Sequence, residues 1–142
     1  MSIFIDTGVL IAYINKKDEH HTYAVHLVEK ILNNEYGAPF TSDMVFDETM
    51  TFILYKTGDI NKAISARDLI LGNKEKDILR FMTLIFMDME ILENSWKTFV
   101  NYADRKLSLT DCSTIEFMKN RGIQNLASFD AGFDGIVTRI WY

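Results

Sequence analysis

The sequence predicts an α/β fold, a mostly parallel central sheet of about five strands flanked by helices in three layers. Three observations carry this. The chain opens on Ser2-Ile3-Phe4-Ile5, a β-prone run that is apolar throughout rather than alternating, as a strand buried on both faces requires. Further strand-like runs alternate with helix-length segments whose apolar residues recur every three or four positions. The first run ends abruptly in Asp6-Thr7-Gly8, which puts an acid at the carboxyl end of a central strand, where open α/β sheets form their ligand crevices. Gly8 marks a sharp exit there.

The elements follow in order. Val9 to Ile14 form a short helix or turn, and Asn15 to Asp18 a polar loop. A helix is predicted over His20 to Leu32, with Tyr23, Leu27, Val28, Ile31 and Leu32 on one face and Asp18 as a nearby cap. Ala38 to Ser42 reads as a second strand, Pro39 being tolerable at its start. Asp43 to Thr57 is a helix with Gly58 at its C′ position. Val45, Glu48, Phe52 and Tyr55 step along it by threes and fours, so Glu48 interrupts an apolar stripe. Asn61 to Leu71 is another helix, closed by Gly72, and Asn73 to Asp77 a solvated turn.

Leu79 to Phe86 is read as a strand, although its apolar content also permits a helix. Met89, Leu92, Trp96, Phe99 and Ala103 mark an amphipathic helix reaching about Asp104. Ser108, three residues before Asp111, is a helix-start capping pattern, and Ile115 and Met118 share a stripe with Asp111 up to Gly122. Asn125 to Phe129 reads as a strand ending at Asp130, and Ile136 to Tyr142 as a last strand.

The 142 residues suit one domain, 1–142, with a real core, and 48% hydrophobic content with mixed charges is that of a globular chain. No apolar run reaches membrane-spanning length, and the start has no signal-peptide pattern, so no membrane partner is expected. A single cysteine, Cys112, excludes an intramolecular disulfide and fits the reducing cytoplasm. The net charge of −5 argues against gripping nucleic acid by bulk positive potential. It leaves a nuclease open, because carboxylates around divalent cations become locally attractive to phosphate.

Four acids stand where such a sheet gathers its chemistry. Asp6 and Asp130 each follow a strand-like run, Asp111 opens a helix, and Glu48 sits on an apolar helical face. Brought to one edge, they would repel one another and their pKa values would rise unless cations compensate. Hard cations such as Mg²⁺ or Mn²⁺ take oxygen ligands of this kind, activate water and neutralise charge on a phosphoryl group. Each acid also has a plainer role. Asp111 or Asp6 can simply cap a helix, Glu48 can reach out to solvent, and Asp130 and Asp134 are ordinary turn residues.

Taken together, Phe4-Ile5-Asp6-Thr7-Gly8-Val9-Leu10, Thr41-Ser42 followed by Glu48, Leu107-Ser108-Leu109-Thr110-Asp111, and Ser128-Phe129-Asp130 with Phe133-Asp134 behind it resemble the PIN-domain family. The resemblance is specifically to VapC-type toxin ribonucleases of toxin–antitoxin pairs, and it covers nearly the whole chain. It implies a divalent-metal-dependent endoribonuclease. Asp6, Glu48, Asp111 and Asp130 would be its acidic quartet, with Asp134 an occasional fifth acid. Asp6 and Asp111 would be the most direct ligands of Mg²⁺ or Mn²⁺. Glu48 and Asp130 would complete the shell or deprotonate the attacking water. Thr7 and Thr110 would be the hydroxyl neighbours. The resemblance also implies a homodimer and a cognate antitoxin that blocks the site. PIN nucleases also process RNA outside such pairs, and the same fold without catalysis would be a protein-interaction module.

Other residues carry weaker signals. Arg105 and Lys106 directly precede the Asp111 motif and are the best candidates to meet RNA phosphates. His20, His21 and His26 lack ligand geometry, since neighbouring helix positions diverge, and are assigned to surface or packing. Cys112 is expected to be buried and inert. The Met, Phe and Trp residues of 81–99 are assigned to core and dimer packing. A phosphatase using Asp6 as nucleophile lacks a second Asp two residues on, where Gly8 stands, and a phosphorylated receiver domain has no place for Asp130 and Asp134.

Overall fold

The first strand, β1 (Ser2–Ile5), lies at the centre of a five-stranded sheet in the computed structural model, which describes residues 1–142. On one side it pairs with β2 (Ala38–Ser42), which pairs with β3 (Thr83–Ile85). On the other it pairs with β4 (Asn125–Ala127), which pairs with β5 (Thr138–Ile140). Every pairing is parallel. The register sets Phe4 between Phe40 and Leu126. Ile3, Phe4 and Ile5 are wholly buried, which is why the opening run carries no polar alternation.

Six helices cover the sheet. α1 (Thr7–Ile14) and α2 (His21–Leu32) make the first crossover, and α3 (Asp43–Thr57) and α4 (Ile60–Leu71) the second. α5 (Met89–Asn101) and α6 (Leu109–Arg121) then return the chain to the far side of β1. Right-handed crossovers put the first four helices on one face and the last two on the other. Accordingly α1 packs against α2, α3 and α4, and α5 against α6. The winding reverses between β1 and β4, so a crevice opens at their carboxyl ends. Phe4 stacks on Phe117 at 6.4 Å, tying the central strand to α6.

Helix ends obey the local chemistry. Ser42 Oγ accepts the Val45 N–H at 3.1 Å, and Gly58 closes α3 in the left-handed region at φ 62°. Ser108 and Asp111 form a reciprocal capping box on α6. Asp18 accepts the His20 N–H at 2.9 Å, ahead of α2.

Several expectations are corrected. Three strands are shorter than their apolar runs. The 79–86 run yields only Thr83–Ile85, because Ile78 bridges back to Asn73 and leads the chain away from the sheet. The 136–142 run yields Thr138–Ile140, because the Ile136 and Val137 N–H groups donate to Phe133 O. β4 stops at Ala127, beyond which the Ser128 hydroxyl turns toward Asp6. Gly8 is not a turn, since the chain enters α1 at Thr7.

Helix faces are also rotated from the apolar pattern. On α2, Tyr23 and Leu32 are exposed while Ala24, Leu27, Val28 and Ile31 are buried. On α3 the buried line is Val45, Thr49 and Ile53, with Phe52 and Tyr55 outside and Glu48 on the flank. α5 departs most. It buries Ile91, Ser95 and Thr98 and turns Met89, Trp96 and Val100 to solvent, with Leu92 and Phe99 at the margin. Small side chains let α5 approach α6, where Thr98 Oγ1 donates to Glu116 Oε1 at 2.6 Å. Ala103 to Arg105 is a separate 3-10 turn.

Candidate active site

Asp6 leaves β1 with its backbone still in the sheet, its N–H donating to Ala127 O at 3.0 Å. That bond fixes the side chain at the crevice between β1 and β4. Asp6 as a residue is 5% exposed, and its side chain caps nothing in α1. Ser128 Oγ, at the end of β4, donates to Oδ2 at 2.7 Å, while Oδ1 is buried without a partner. Burial raises the carboxyl from 3.8 to about 7; the Asp111 charge adds to the rise and the Ser128 hydrogen bond opposes it.

Asp111 reaches the same crevice from the first turn of α6. It is also a capping residue, its Oδ2 accepting the Ser108 N–H at 2.9 Å, so the plainer role and the functional one coexist. Oδ1 makes no hydrogen bond. Burial raises this pKa too, and the charges of Asp130 and Glu48 push the same way against the Ser108 hydrogen bonds. Glu48, from the flank of α3, is partly exposed and makes no hydrogen bond. Asp130 is exposed and uses Oδ1 to accept the Gly132 N–H at 2.8 Å, leaving Oδ2 free.

These four acids line one cleft of about 460 Å³, together with Thr7, Gly8 and Ser108. Thr7 Oγ1 is buried and unpartnered, like Asp6 Oδ1. The carboxylates share the cleft without closing on one another, and no three His, Cys, Asp or Glu side chains are gathered at metal-ligand spacing. The donor set is nonetheless all oxygen, with an orphaned buried carboxylate atom, which is what a hard divalent cation would satisfy.

Other expected residues lie elsewhere. Asp134 does not line the cleft. Arg139 grips both its oxygens, at 2.6 and 3.0 Å, and holds its carboxyl below the usual range. Thr110 is absent from the lining, its carbonyl accepting from Ser113 and Thr114. Arg105 donates to the carbonyls of Gly132 and Asp134 at 3.0 and 2.8 Å, so it straps down the loop behind Asp130. Lys106 is exposed in the left-handed region at φ 57°. Cys112 is buried, and desolvation pushes its thiol up to about 11.

Two contributors were not singled out from sequence. Ser128 orients Asp6 and also accepts the Asp130 N–H at 3.1 Å, and its place in Ser128-Phe129-Asp130 was the available signal. Lys56, near the end of α3, is the one basic side chain lining the cleft. It lies two turns of helix beyond Glu48, a spacing that shares a face.

The PIN domain profile matches residues 3–137. Among curated proteins, the VapC ribonuclease of Archaeoglobus fulgidus is 26% identical over 134 residues, covering 94% of this chain and 80% of that protein. The 23S rRNA-specific endonuclease VapC20 of Mycobacterium tuberculosis is 28% identical over 131 residues, covering 92% and 91%. The crystal structure of that VapC20, described as a sarcin-ricin loop cleaving toxin, superposes with a TM-score of 0.80 at 22% identity, covering 97% of this chain and 98% of its own. VapBC2 from Rickettsia felis, bound to a promoter DNA fragment, superposes with a TM-score of 0.67 at 13% identity, covering 99% and 98%.

Proposed function

The chain belongs to the PIN-domain family, and from that premise we propose that it is a metal-dependent endoribonuclease of the VapC type, the toxin of a toxin–antitoxin pair. The observation that carries this is Asp6: a buried carboxylate with one unpartnered oxygen, raised to about 7, in a cleft shared with three further acids. Four carboxylates in one cleft are costly unless they hold a cation.

Asp6 and Asp111 would hold Mg²⁺ or Mn²⁺, with Glu48 and Asp130 completing the shell. When bound, the cation would supply Lewis acidity that activates water and offsets charge on the scissile phosphate. The protein's own groups do the rest. The Ser128 hydroxyl fixes Asp6 through Oδ2, and the Ser108 N–H fixes Asp111 through Oδ2, so each acid presents a defined oxygen. Whichever of Glu48 and Asp130 is not holding the cation would accept the one proton that the attacking water loses, Asp130 through its free Oδ2. The Arg105 and Arg139 straps keep the loop carrying Asp130 in place.

The substrate class is RNA, and the relative named for 23S rRNA makes ribosomal RNA the first target to try. The neighbouring structures of toxin–antitoxin complexes support a cognate antitoxin as partner. The exposed apolar side of α5 supports a homodimer. The working unit is a single domain, 1–142, acting in the cytoplasm. No helix is long and apolar enough to cross a membrane.

The test is cleavage of a pool containing 23S rRNA and mixed structured RNA, with Mg²⁺, Mn²⁺ or EDTA, by wild type and Asp6→Asn. Metal-dependent cutting that Asp6→Asn abolishes is expected. Wild-type rates in the variant would remove Asp6 from the chemistry.

A further inference from the structure

A second cleft, of about 580 Å³, adjoins the acidic one and shares Gly8, Ile11, Lys56 and Phe129 with it. We propose that it is a nucleobase subsite, in which an unpaired base of the RNA beside the scissile phosphate stacks on His20. The placement of the scissile phosphate rests on the nuclease reading above; the stacking platform and its basic flank are features of the protein itself.

The platform is already built. The His20 imidazole lies on the Phe129 ring at 4.6 Å between centroids and 12° from parallel. Phe129 covers one face of the imidazole, and the His20 side chain remains 43% exposed. Its backbone is held by the Asp18 carboxylate through the His20 N–H. Phe129 lies between Ser128 and Asp130, so the platform moves with the loop that carries the acidic site. Aromatic and histidine rings are the usual partners of splayed single-stranded bases.

The junction between the clefts suits a sugar-phosphate backbone. Gly8 forms shared wall, and a Cβ added there would meet nothing within 4 Å, so the passage is open. Lys56 borders both clefts, with Nζ 4.0 Å from Asp18 Oδ2 and its side chain 59% exposed. An ammonium there neutralises a phosphate entering the acidic cleft. Lys17 adds a second positive charge to the outer cleft.

The remaining polar wall gives the subsite a direction of preference. Asp18 and Glu19 line it, and ionised carboxylates only accept hydrogen bonds. Adenine, cytosine and guanine present an exocyclic amino group to such acceptors, whereas uracil offers only its N3–H, set between two carbonyl oxygens that a carboxylate repels. Uracil is therefore the disfavoured base at this position.

The experiment uses the full chain in Mn²⁺ on a random-sequence single-stranded RNA pool, with cut ends sequenced for wild type, His20→Ala, His20→Phe and Lys56→Met. KM and kcat are then measured on one oligomer chosen from the wild-type cut sites. Wild type should disfavour uracil at one position beside the cut. His20→Ala should lose that bias and raise KM about tenfold, with most of the change in KM rather than kcat. His20→Phe should keep the tight KM, since it preserves a stacking ring. Lys56→Met should weaken cutting at all sequences alike. Wild-type bias and KM in His20→Ala would overturn the subsite and leave the nuclease standing.

If wild type cuts nothing, binding of a fluorescein-labelled mixed-sequence RNA 8-mer decides the question. Asp6→Asn is compared with Asp6→Asn/His20→Ala, both checked for fold by circular dichroism. Tenfold weaker binding in the double variant upholds the subsite and equal binding overturns it, while the nuclease reading is decided separately by the 23S rRNA test above.

Discussion

Two buried aspartates are driven in opposite directions, and the cause in each case is what the rest of the fold sets against them. Asp68, on α4, is clamped by Lys76 at 2.7 Å, Asn73 at 3.0 Å and Arg67 at 3.1 Å. The Lys76 hydrogen bond leads in lowering its carboxyl from 3.8 to about 2. Its contribution to stability is present above about pH 4 and is lost as pH falls toward 2. Asp6 has no cation against it, and burial raises it from 3.8 to about 7 despite the Ser128 hydroxyl. Below pH 3.8 it is protonated in both folded and unfolded chains and costs nothing. As pH rises to about 7 the unfolded chain ionises first, so stability is lost, by about 4 kcal/mol. In EDTA, wild type should therefore have a lower urea midpoint at pH 8 than at pH 5, and Asp6→Asn should remove most of that difference. A pH dependence unchanged in Asp6→Asn would show that the penalty lies elsewhere. Ser128→Ala should weaken Mn²⁺ binding about 10- to 100-fold by calorimetry, the usual cost of losing a group that orients a ligand. Unaltered affinity would mean that Asp6 is held in place without it.

At the scale of elements, two helix-closing glycines separate strain from crowding. Gly58 ends α3 at φ 62° with open space around it, so Gly58→Ala should cost only left-handed strain, about 1 kcal/mol. Gly72 ends α4 at φ 71°, and a Cβ there would stand 2.8 Å from Arg80 N and 3.0 Å from Ile78 O. Both neighbours are backbone, so Gly72→Ala should cost clearly more, and paired urea denaturation curves of the two variants will show the order. Equal losses would mean that the 73–80 segment yields freely. Both glycines could be read from sequence, because capping is local chemistry. The rotation of α5 could not. Its apolar stripe satisfies the pattern for a buried face, yet Ser95 and Thr98 are the residues placed against α6. Hydrophobic periodicity identifies an amphipathic helix but does not say whether its apolar face meets its own core or another chain. The strand ends at 79–86 and 136–142 were illegible for a related reason. Apolar runs mark burial, while pairing depends on where the neighbouring chain turns away.

For the whole molecule, the exposed stripe on α5 becomes a statement about assembly. Met89, Trp96 and Val100 are each more than half exposed, with Leu92 and Phe99 beside them, and Trp96 stacks on Phe99 at 5.8 Å. If this face joins two copies, Trp96→Glu should convert dimer to monomer in sedimentation equilibrium, with the melting temperature of the monomeric fold little changed. A monomeric wild type at micromolar concentration would remove the homodimer from the proposal.

The sequence by itself determined the parallel α/β architecture, the central place of Ser2–Ile5, and the ends of α3 and the capped start of α6. It also marked four acids that the fold does bring to one cleft. These follow from burial pattern, capping and the rule that open sheets gather ligands at strand ends, all of which act over a few residues or through topology. Only the tertiary structure decided that Ser128 would steady Asp6 from 122 positions away, leaving the other oxygen bare. It likewise decided that Arg139 would take Asp134 out of the site, that Arg105 would serve as a strap, and that Lys56 and the His20–Phe129 pair would border the acids. Hydrogen bonds and stacking are set by ångström distances between segments remote in sequence, and no local pattern encodes those distances.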